Sequence, residues 1–305
     1  METVLITGGT GLVGTALTAL LLERGFRVIV LSRTPEQGEN KQVQYARWNI
    51  STQQIDTAAL QQADYIVHLA GAPVADKRWS ASRKQEIIES RTQSSELLVK
   101  ALMSTPNKVK KIISASATGI YGEYTDHIFT ETDPAATDYL GTTTNAWEKS
   151  ISEIQSLDKK LVIFRIGIAL SRNGGALKEF YKPLKFGFAT VMGSGDQYIS
   201  WIHIHDLVRL FFNAIVNDKL EGVYNAVAPN PVTNKELVLS MAKAAKGKSF
   251  MTAYAPAAIL KIALGEMSVE ILKSVRVSSE KIQQTGFQFS YPTIDKAMEQ
   301  LFPPR

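Results

Sequence analysis

The 305-residue chain has no cysteine. Disulfides, thiolate nucleophiles and cysteine-held metal sites are thereby excluded. A chain of this length needs no staples, since it can bury roughly three-quarters of the surface its unfolded form exposes. It also lacks any apolar run of membrane-spanning length and any charged segment leading into an apolar one at its start, so the expectation is a soluble, cytoplasmic protein with no membrane partner. A broad basic stripe is missing too. The formal net charge is +5, but lysines and arginines are scattered, and Lys108-Val109-Lys110-Lys111 is the densest cluster. Nucleic acid is therefore not an expected partner, whereas a small phosphorylated ligand is compatible with the charge. Internal repeats and low-complexity stretches are absent.

What the chain does have is glycine at informative places. Thr7-Gly8-Gly9-Thr10-Gly11-Leu12-Val13-Gly14 follows the apolar run Val4-Leu5-Ile6 and precedes the helical pattern of residues 15–22. A strand-to-helix turn of this kind is where a dinucleotide pyrophosphate rests. Gly8 takes the tight turn, Gly11 lets backbone approach phosphate and Gly14 lets helix pack on strand, while Leu12 and Val13 open a helix N-terminus with free N–H donors. The spacing is Gly-x-x-Gly-x-x-Gly, not the Gly-x-Gly-x-x-Gly of ordinary dehydrogenases.

Downstream, short β-rich runs alternate with helical patterns. They are Thr3–Ile6, a helix to about Arg24, Arg27–Leu31, Asp64–Leu69, a helix over Ser82–Met103, Lys111–Ala115, a helix over Asn145–Leu157, and Leu161–Ile166. The expected fold is α/β, a Rossmann-type doubly wound parallel sheet with a smaller, mainly C-terminal substrate lobe. Residues 1–170 are assigned to the nucleotide-binding domain, with a return of the chain at 203–228. Residues 171–202, whose glycines and Pro183 predict irregular structure, and 229–305, a helical tail, are assigned to the lobe.

Ser32-Arg33 ends the second strand, where an NAD site usually carries an acidic residue for the ribose 2′-hydroxyl. A carboxylate would repel a 2′-phosphate, whereas Arg33 can pair with it and stack on adenine. NADP is the expected cofactor. A solvated surface charge is the plainer reading of an arginine at a strand end.

These motifs, with His68-Leu69-Ala70-Gly71 and Ser114-Ala115-Ser116-Ala117-Thr118-Gly119-Ile120-Tyr121-Gly122 ending later strands, resemble the extended short-chain dehydrogenase/reductases of the NAD-dependent epimerase/dehydratase superfamily. More narrowly the chain is similar to the atypical sugar-nucleotide-epimerase-like group. The segments that carry this are Asp76-Lys77-Arg78-Trp79, Trp147-Glu148, Ser200-Trp201-Ile202-His203-Ile204, residues 225–231 and Leu264-Gly265-Glu266-Met267. The resemblance spans essentially the whole chain. It implies NADP, a C-terminal lobe, and cofactor contacts from Ser32, Arg33, Leu69, Ala70, Gly71, Glu86, Arg91 and the loop near Ala169.

In that superfamily a Tyr, a Lys four residues on and a strand Ser or Thr move the proton, because the lysine lowers the phenol pKa while hydride moves at nicotinamide C4. Ser116 stands where the hydroxyl belongs. The pair on the helix reads Asn145 and Lys149, and an amide cannot do acid/base work. Lys149 is either a ribose contact or an exposed helix lysine, and Ser116 either faces nicotinamide or is a strand-end residue satisfied by backbone. Tyr121 and Glu148 are the nearest replacement acids, with Tyr139 more remote. Tyr181-Lys182-Pro183-Leu184-Lys185 matches the Tyr-x-x-x-Lys pattern, but its proline argues against a regular helix face. Trp147 is a packing residue on this reading. His203 and His205 alternate along an expected strand beside Asp206, which reads as a helix N-cap, so no metal site is assigned. Gly193 and Gly195 suit either a phosphate contact or a plain loop.

Two functions remain open on the sequence. One is an NADP-dependent oxidoreductase or epimerase-like enzyme on a small polar, nucleotide-linked or free, substrate. The other is an NADPH-binding sensor or regulatory interaction protein without catalysis, motivated by Asn145.

Overall fold

Alternation along β1 (Thr3–Thr7) sets the layering: Val4 and Ile6 join one apolar core and Leu5 the other, because successive strand side chains point to opposite faces. The computed structural model describes residues 1–35, 40–123 and 126–303. β1 leads through the glycine turn into α1 (Leu12–Glu23), whose buried Leu17 and Leu21 lie one turn apart and pack on the Val4 side. Gly25, at φ +80°, lets the chain turn out of the helix.

β2 (Arg27–Ser32), β3 (Gln44–Asn49), β4 (Gln54–Ile55), β5 (Tyr65–His68) and β6 (Lys111–Ala117) follow. With β8 (Lys160–Ile166) and β13 (Gly222–Ala226) they form one eight-stranded sheet in the order β13-β8-β6-β5-β1-β2-β3-β4. Its pairings are parallel except for the β3–β4 edge. The expected doubly wound sheet is present. The strand order reverses at β1, so a crevice opens beyond the carboxyl ends of β1 and β5, where α/β sheets bind ligands. α2 (Thr57–Gln62), α3 (Ala81–Ser104) and α4 (Tyr139–Ser152) cover the Leu5 face; α1 and α6 (Ile204–Val216) cover the other.

The remaining elements lie outside that sheet, most of them in the second lobe. They are β7 (Ile128–Phe129), β9 (Ile168–Leu170), α5 (Ala176–Leu184), β10 (Phe188–Met192), β11 (Tyr198–Ile199), β12 (Trp201–His203), β14 (Val232–Thr233), α7 (Asn234–Lys246), β15 (Met251–Ala255), α8 (Ala257–Leu264), α9 (Ser268–Leu272), β16 (Arg276–Val277), α10 (Glu280–Gln284) and α11 (Ile294–Leu301). A separate apolar core of Leu177, Val191, Trp201, Leu237, Met241 and Met298 holds much of it together.

Several local expectations need correction. Residues 171–202 are ordered into α5 and β10–β12, because long-range strand pairing outweighs their glycines. α5 nevertheless continues through Pro183 in its last turn, and Tyr181 packs on Phe302 in the lobe. The tail carries β14–β16 as well as helices. α4 starts at Tyr139, six residues earlier than expected, capped by Asp138 Oδ1 accepting from Gly141 N at 2.8 Å. His203, not Asp206, caps α6, its Nδ1 accepting from His205 N. Asp206 sits fully buried in the first turn and accepts from the Ser290 and Tyr291 amides at 2.9 Å each, tying the C-terminal segment to the sheet domain.

Candidate functional site

The cleft is built from the turn after β1, the end of β2 and the loop after β5. Gly8 has φ +69°, and a Cβ there would lie 2.7 Å from the Leu69 carbonyl oxygen. A Cβ on Gly14 would collide with the Gly8 carbonyl and lie 2.6 Å from Gly9 Cα. Only glycine permits this geometry. Gly11 precedes α1 with no side chain capping the helix, which leaves its first amides available to an anion. Around this turn is a cleft of about 580 Å³ lined by Gly8, Thr10, Gly11, Ser32, Arg33, Thr34, Tyr45, Trp48, residues 69–73, Glu86 and Ser90. The expected Gly8, Gly11, Ser32, Arg33, Leu69, Ala70, Gly71 and Glu86 are thus brought together. A cradle that a Cβ would fill, together with uncapped helix amides, fits a dinucleotide pyrophosphate.

Leu12 and Val13 open α1 beside it. The side chain of Leu12 is next to Gly174 and Gly175, and Gly175 is next to the Ala169 carbonyl, so the β9 loop closes against the turn. Glu86 pairs with Arg83 at 2.6 Å, and Arg83 also donates to the Pro73 carbonyl. Arg91 donates to the carbonyls of Ala72 at 3.1 Å and Ile87 at 2.9 Å, and its guanidinium lies under Gly71 and over the Trp147 ring. Burial lowers its pKa to about 10, which leaves it charged at neutral pH. These two arginines fasten the loop after β5 to α3.

The other half of the site surrounds Ser116. Its hydroxyl donates to Glu148 Oε1 at 2.5 Å, and Arg165 grips the same carboxylate through Nε and Nη2, both at 2.9 Å. Arg165 Nη1 reaches Tyr121 Oη at 3.0 Å, and that phenol donates to Asn225 Oδ1 at 2.6 Å. Burial, only partly offset by Arg165, pushes the Tyr121 phenol up to about 12. Tyr121 is fully buried, its hydroxyl engaged by Arg165 and Asn225, and it is not among the residues that line the cleft.

The register of α4 also corrects the expected pair. Its buried face carries Thr143, Thr144, Trp147, Glu148 and Ile151. Glu148 reaches Ser116 of β6, and Thr144, one turn earlier, lies on the same buried face. Lys149 is exposed on the outer side, beside Glu96, Lys100, Met103 and Glu153. It is not among the residues that line the cleft. Tyr139 donates to the Lys84 carbonyl at 3.0 Å near the mouth. His203 bonds Gln300 and Asp206 is consumed by backbone amides, so the two do not converge on a metal. Gly193 and Gly195 lie in the second lobe against Leu272 and Lys235.

Sequence reasoning missed Arg165 and Asn225 as members of this network. A signal existed for Arg165: a lone charge inside the apolar strand Leu161–Ile166 must find a buried partner.

Comparisons with known proteins bear on the family and the fold. Residues 4–226 match the model of the NAD dependent epimerase/dehydratase family. The chain belongs to that family. Residues 255–301 match a second model, described as a domain of unknown function, DUF1731. The epimerase family protein YfhF of Bacillus subtilis is 34% identical over 302 residues, covering 98% of each chain. Among solved structures, the human epimerase family protein SDR39U1 with NADPH superposes with a TM-score of 0.86 at 28% identity, covering 98% of this chain and 99% of that one. A nucleoside-diphosphate sugar epimerase of Corynebacterium glutamicum gives 0.78 at 31% identity, covering 99% of this chain but 58% of the other. Among the described residues of this epimerase-family chain, no helix is long and apolar enough to cross a membrane.

Proposed function

We propose that this chain is an NADP-dependent oxidoreductase or epimerase-like enzyme acting on a small polar substrate, with nucleotide-linked sugars the first class to test. The end of β2 carries the reading: where an NAD site has a carboxylate, Ser32 and Arg33 line the cleft beside Gly8 and Gly11. The human neighbour solved with NADPH supports it. The glycine turn and the α1 amides would hold the pyrophosphate, and Arg33 the 2′-phosphate. A bound nicotinamide supplies hydride acceptance and return.

The chain itself handles the proton. Because Ser116 already donates to Glu148, it presents lone pairs to a ligand and accepts from a substrate hydroxyl. As that proton passes to Ser116 Oγ, the serine proton passes to Glu148 Oε1, while Arg165 balances the carboxylate charge. Ser116 and Glu148 are then the catalytic pair, and Lys149 and Tyr121 take no part. The test is titration of purified protein with NADPH and NADH, followed by deuteride exchange between a panel of carbon-deuterated nucleoside-diphosphate hexoses and the oxidised cofactor NADP+. Tighter NADPH binding and exchange with one hexose are expected; tighter NADH binding overturns the NADP assignment.

One observation favours a second reading, that of an NADPH-binding sensor or regulatory protein. Glu148 is held bidentately by Arg165, and Asn145 stands where the resemblance expects the Tyr. NADPH binding without exchange on any substrate, with a partner retained in one redox state alone, selects that reading.

A further inference from the structure

His68 ends β5 with no exposed surface, and Thr7, Ser94 and Ser95 around it are equally buried. None of them has a part in the chemistry above, yet their hydrogen-bond directions are fixed. Thr7 Oγ1 accepts from the backbone amides of Leu69 at 3.1 Å and Ala70 at 3.2 Å. Both lone pairs are thus engaged, and the hydroxyl proton points to His68 Nδ1, 2.8 Å away. With Nδ1 accepting, a neutral imidazole carries its proton on Nε2, facing Ser95 Oγ at 3.2 Å and Ser94 Oγ at 3.4 Å. Ser95 and Ser94 donate onward to the Arg91 carbonyl in α3 at 2.9 and 3.0 Å.

This line of hydrogen bonds runs from α3 to the cofactor turn. Leu69 and Ala70 form the floor under Gly8, whose Cα lies too close to the Leu69 carbonyl for any side chain. Packing alone would be served by valine at position 7 and leucine at 68. Two polar groups at these buried positions instead demand a unique arrangement, since each leaves an unpaired atom if the floor shifts. Full desolvation keeps the imidazole neutral, with a pKa lowered to about 3, so the direction of the line does not reverse at neutral pH.

We propose that Thr7 and His68 are positioning residues for the dinucleotide: they fix the Leu69–Ala70 floor so that the Gly8–Gly14 turn meets the pyrophosphate without rearranging. This rests on the cofactor reading above, and it adds a role for groups that never touch the cofactor. The prearranged turn lowers the ordering required on binding.

The experiment compares Thr7→Val, which keeps shape but loses the hydroxyl, with Thr7→Ser, which keeps the hydroxyl. His68→Leu is compared with His68→Asn, whose Oδ1 can replace Nδ1 as acceptor. Affinities for NADPH and for adenosine 2′-phosphate, a fragment that does not reach the turn, are measured on the folded full chain by calorimetry. Thr7→Val and His68→Leu are expected to weaken NADPH about tenfold or more and to leave adenosine 2′-phosphate within about twofold. Thr7→Ser should stay within about threefold of the parent, and His68→Asn should recover part of the loss. Unchanged NADPH affinity in Thr7→Val overturns the proposal, as does a parallel loss of both ligands or a Thr7→Ser variant as weak as Thr7→Val. Should Thr7→Val not fold, Ser95→Ala takes its place with the same pair of ligands. A parent protein that binds neither NADPH nor adenosine 2′-phosphate overturns the cofactor reading instead, which is a separate result.

Discussion

The two halves of the candidate site treat polar groups in opposite ways. At the turn after β1 the helix amides are uncapped, and Ser32 and Arg33 line the open cleft. Around Ser116 each polar group is matched within the protein: Ser116 with Glu148, Glu148 with Arg165, Arg165 with Tyr121, Tyr121 with Asn225. The turn half leaves donors for an anionic ligand, whereas the Ser116 half satisfies its own polar groups.

The largest expected effect lies in the closed half. Glu148→Ala leaves Arg165 buried without its carboxylate and should lose about 3–5 kcal/mol of unfolding free energy, measured by denaturant titration. A loss below about 1 kcal/mol would show that the pair is not a closed brace. In the open half, Arg33→Ala should weaken NADPH by about 1.5–3 kcal/mol, the range of hydrogen bonds to charged groups, and barely change NADH. Equal losses for the two cofactors would remove the 2′-phosphate from the explanation. Gly14→Ala forces a methyl toward Gly9 Cα and the Gly8 carbonyl. It should destabilise the fold by about 1–3 kcal/mol and weaken NADPH more than adenosine 2′-phosphate.

Acid provides a subtler probe. His68 has its folded pKa lowered by burial to about 3, below the unfolded value of 6.5. Between those limits the unfolded chain takes up a proton that the folded chain refuses. The stability this contributes is therefore complete above about pH 6.5 and falls as pH drops, by at most about 1.4 kcal/mol per pH unit. Subtracting the same curve for His68→Asn isolates it from the carboxylates, and identical slopes would contradict a neutral buried imidazole. The smallest effect is expected at Lys149→Ala, within about 0.5 kcal/mol in stability and with unchanged cofactor affinity. A large change there would restore Lys149 to the site and undo the α4 register.

Much of the open half was legible in the sequence because its determinants are local. The turn glycines, the strand before them and Arg33 lie within one βαβ unit, so spacing alone brings them together. The closed half was not. Ser116, Glu148, Arg165, Tyr121 and Asn225 come from β6, α4, β8, the turn after β6 and β13, and sequence spacing does not say which side of α4 faces the sheet. The position of Asp138 as helix cap moved the start of α4 to Tyr139, and the buried face then selected Glu148 over Lys149.

By itself the sequence determined the doubly wound sheet and the dinucleotide turn, since periodicity and glycine geometry act over a few residues. Tertiary structure decided which of two adjacent helix residues reaches the site, and that Arg165 neutralises Glu148. It also decided that His68 is a directed link in the floor of the cofactor turn. Such partners are fixed by burial, and a buried polar group is defined by what surrounds it in space rather than by its neighbours in the chain.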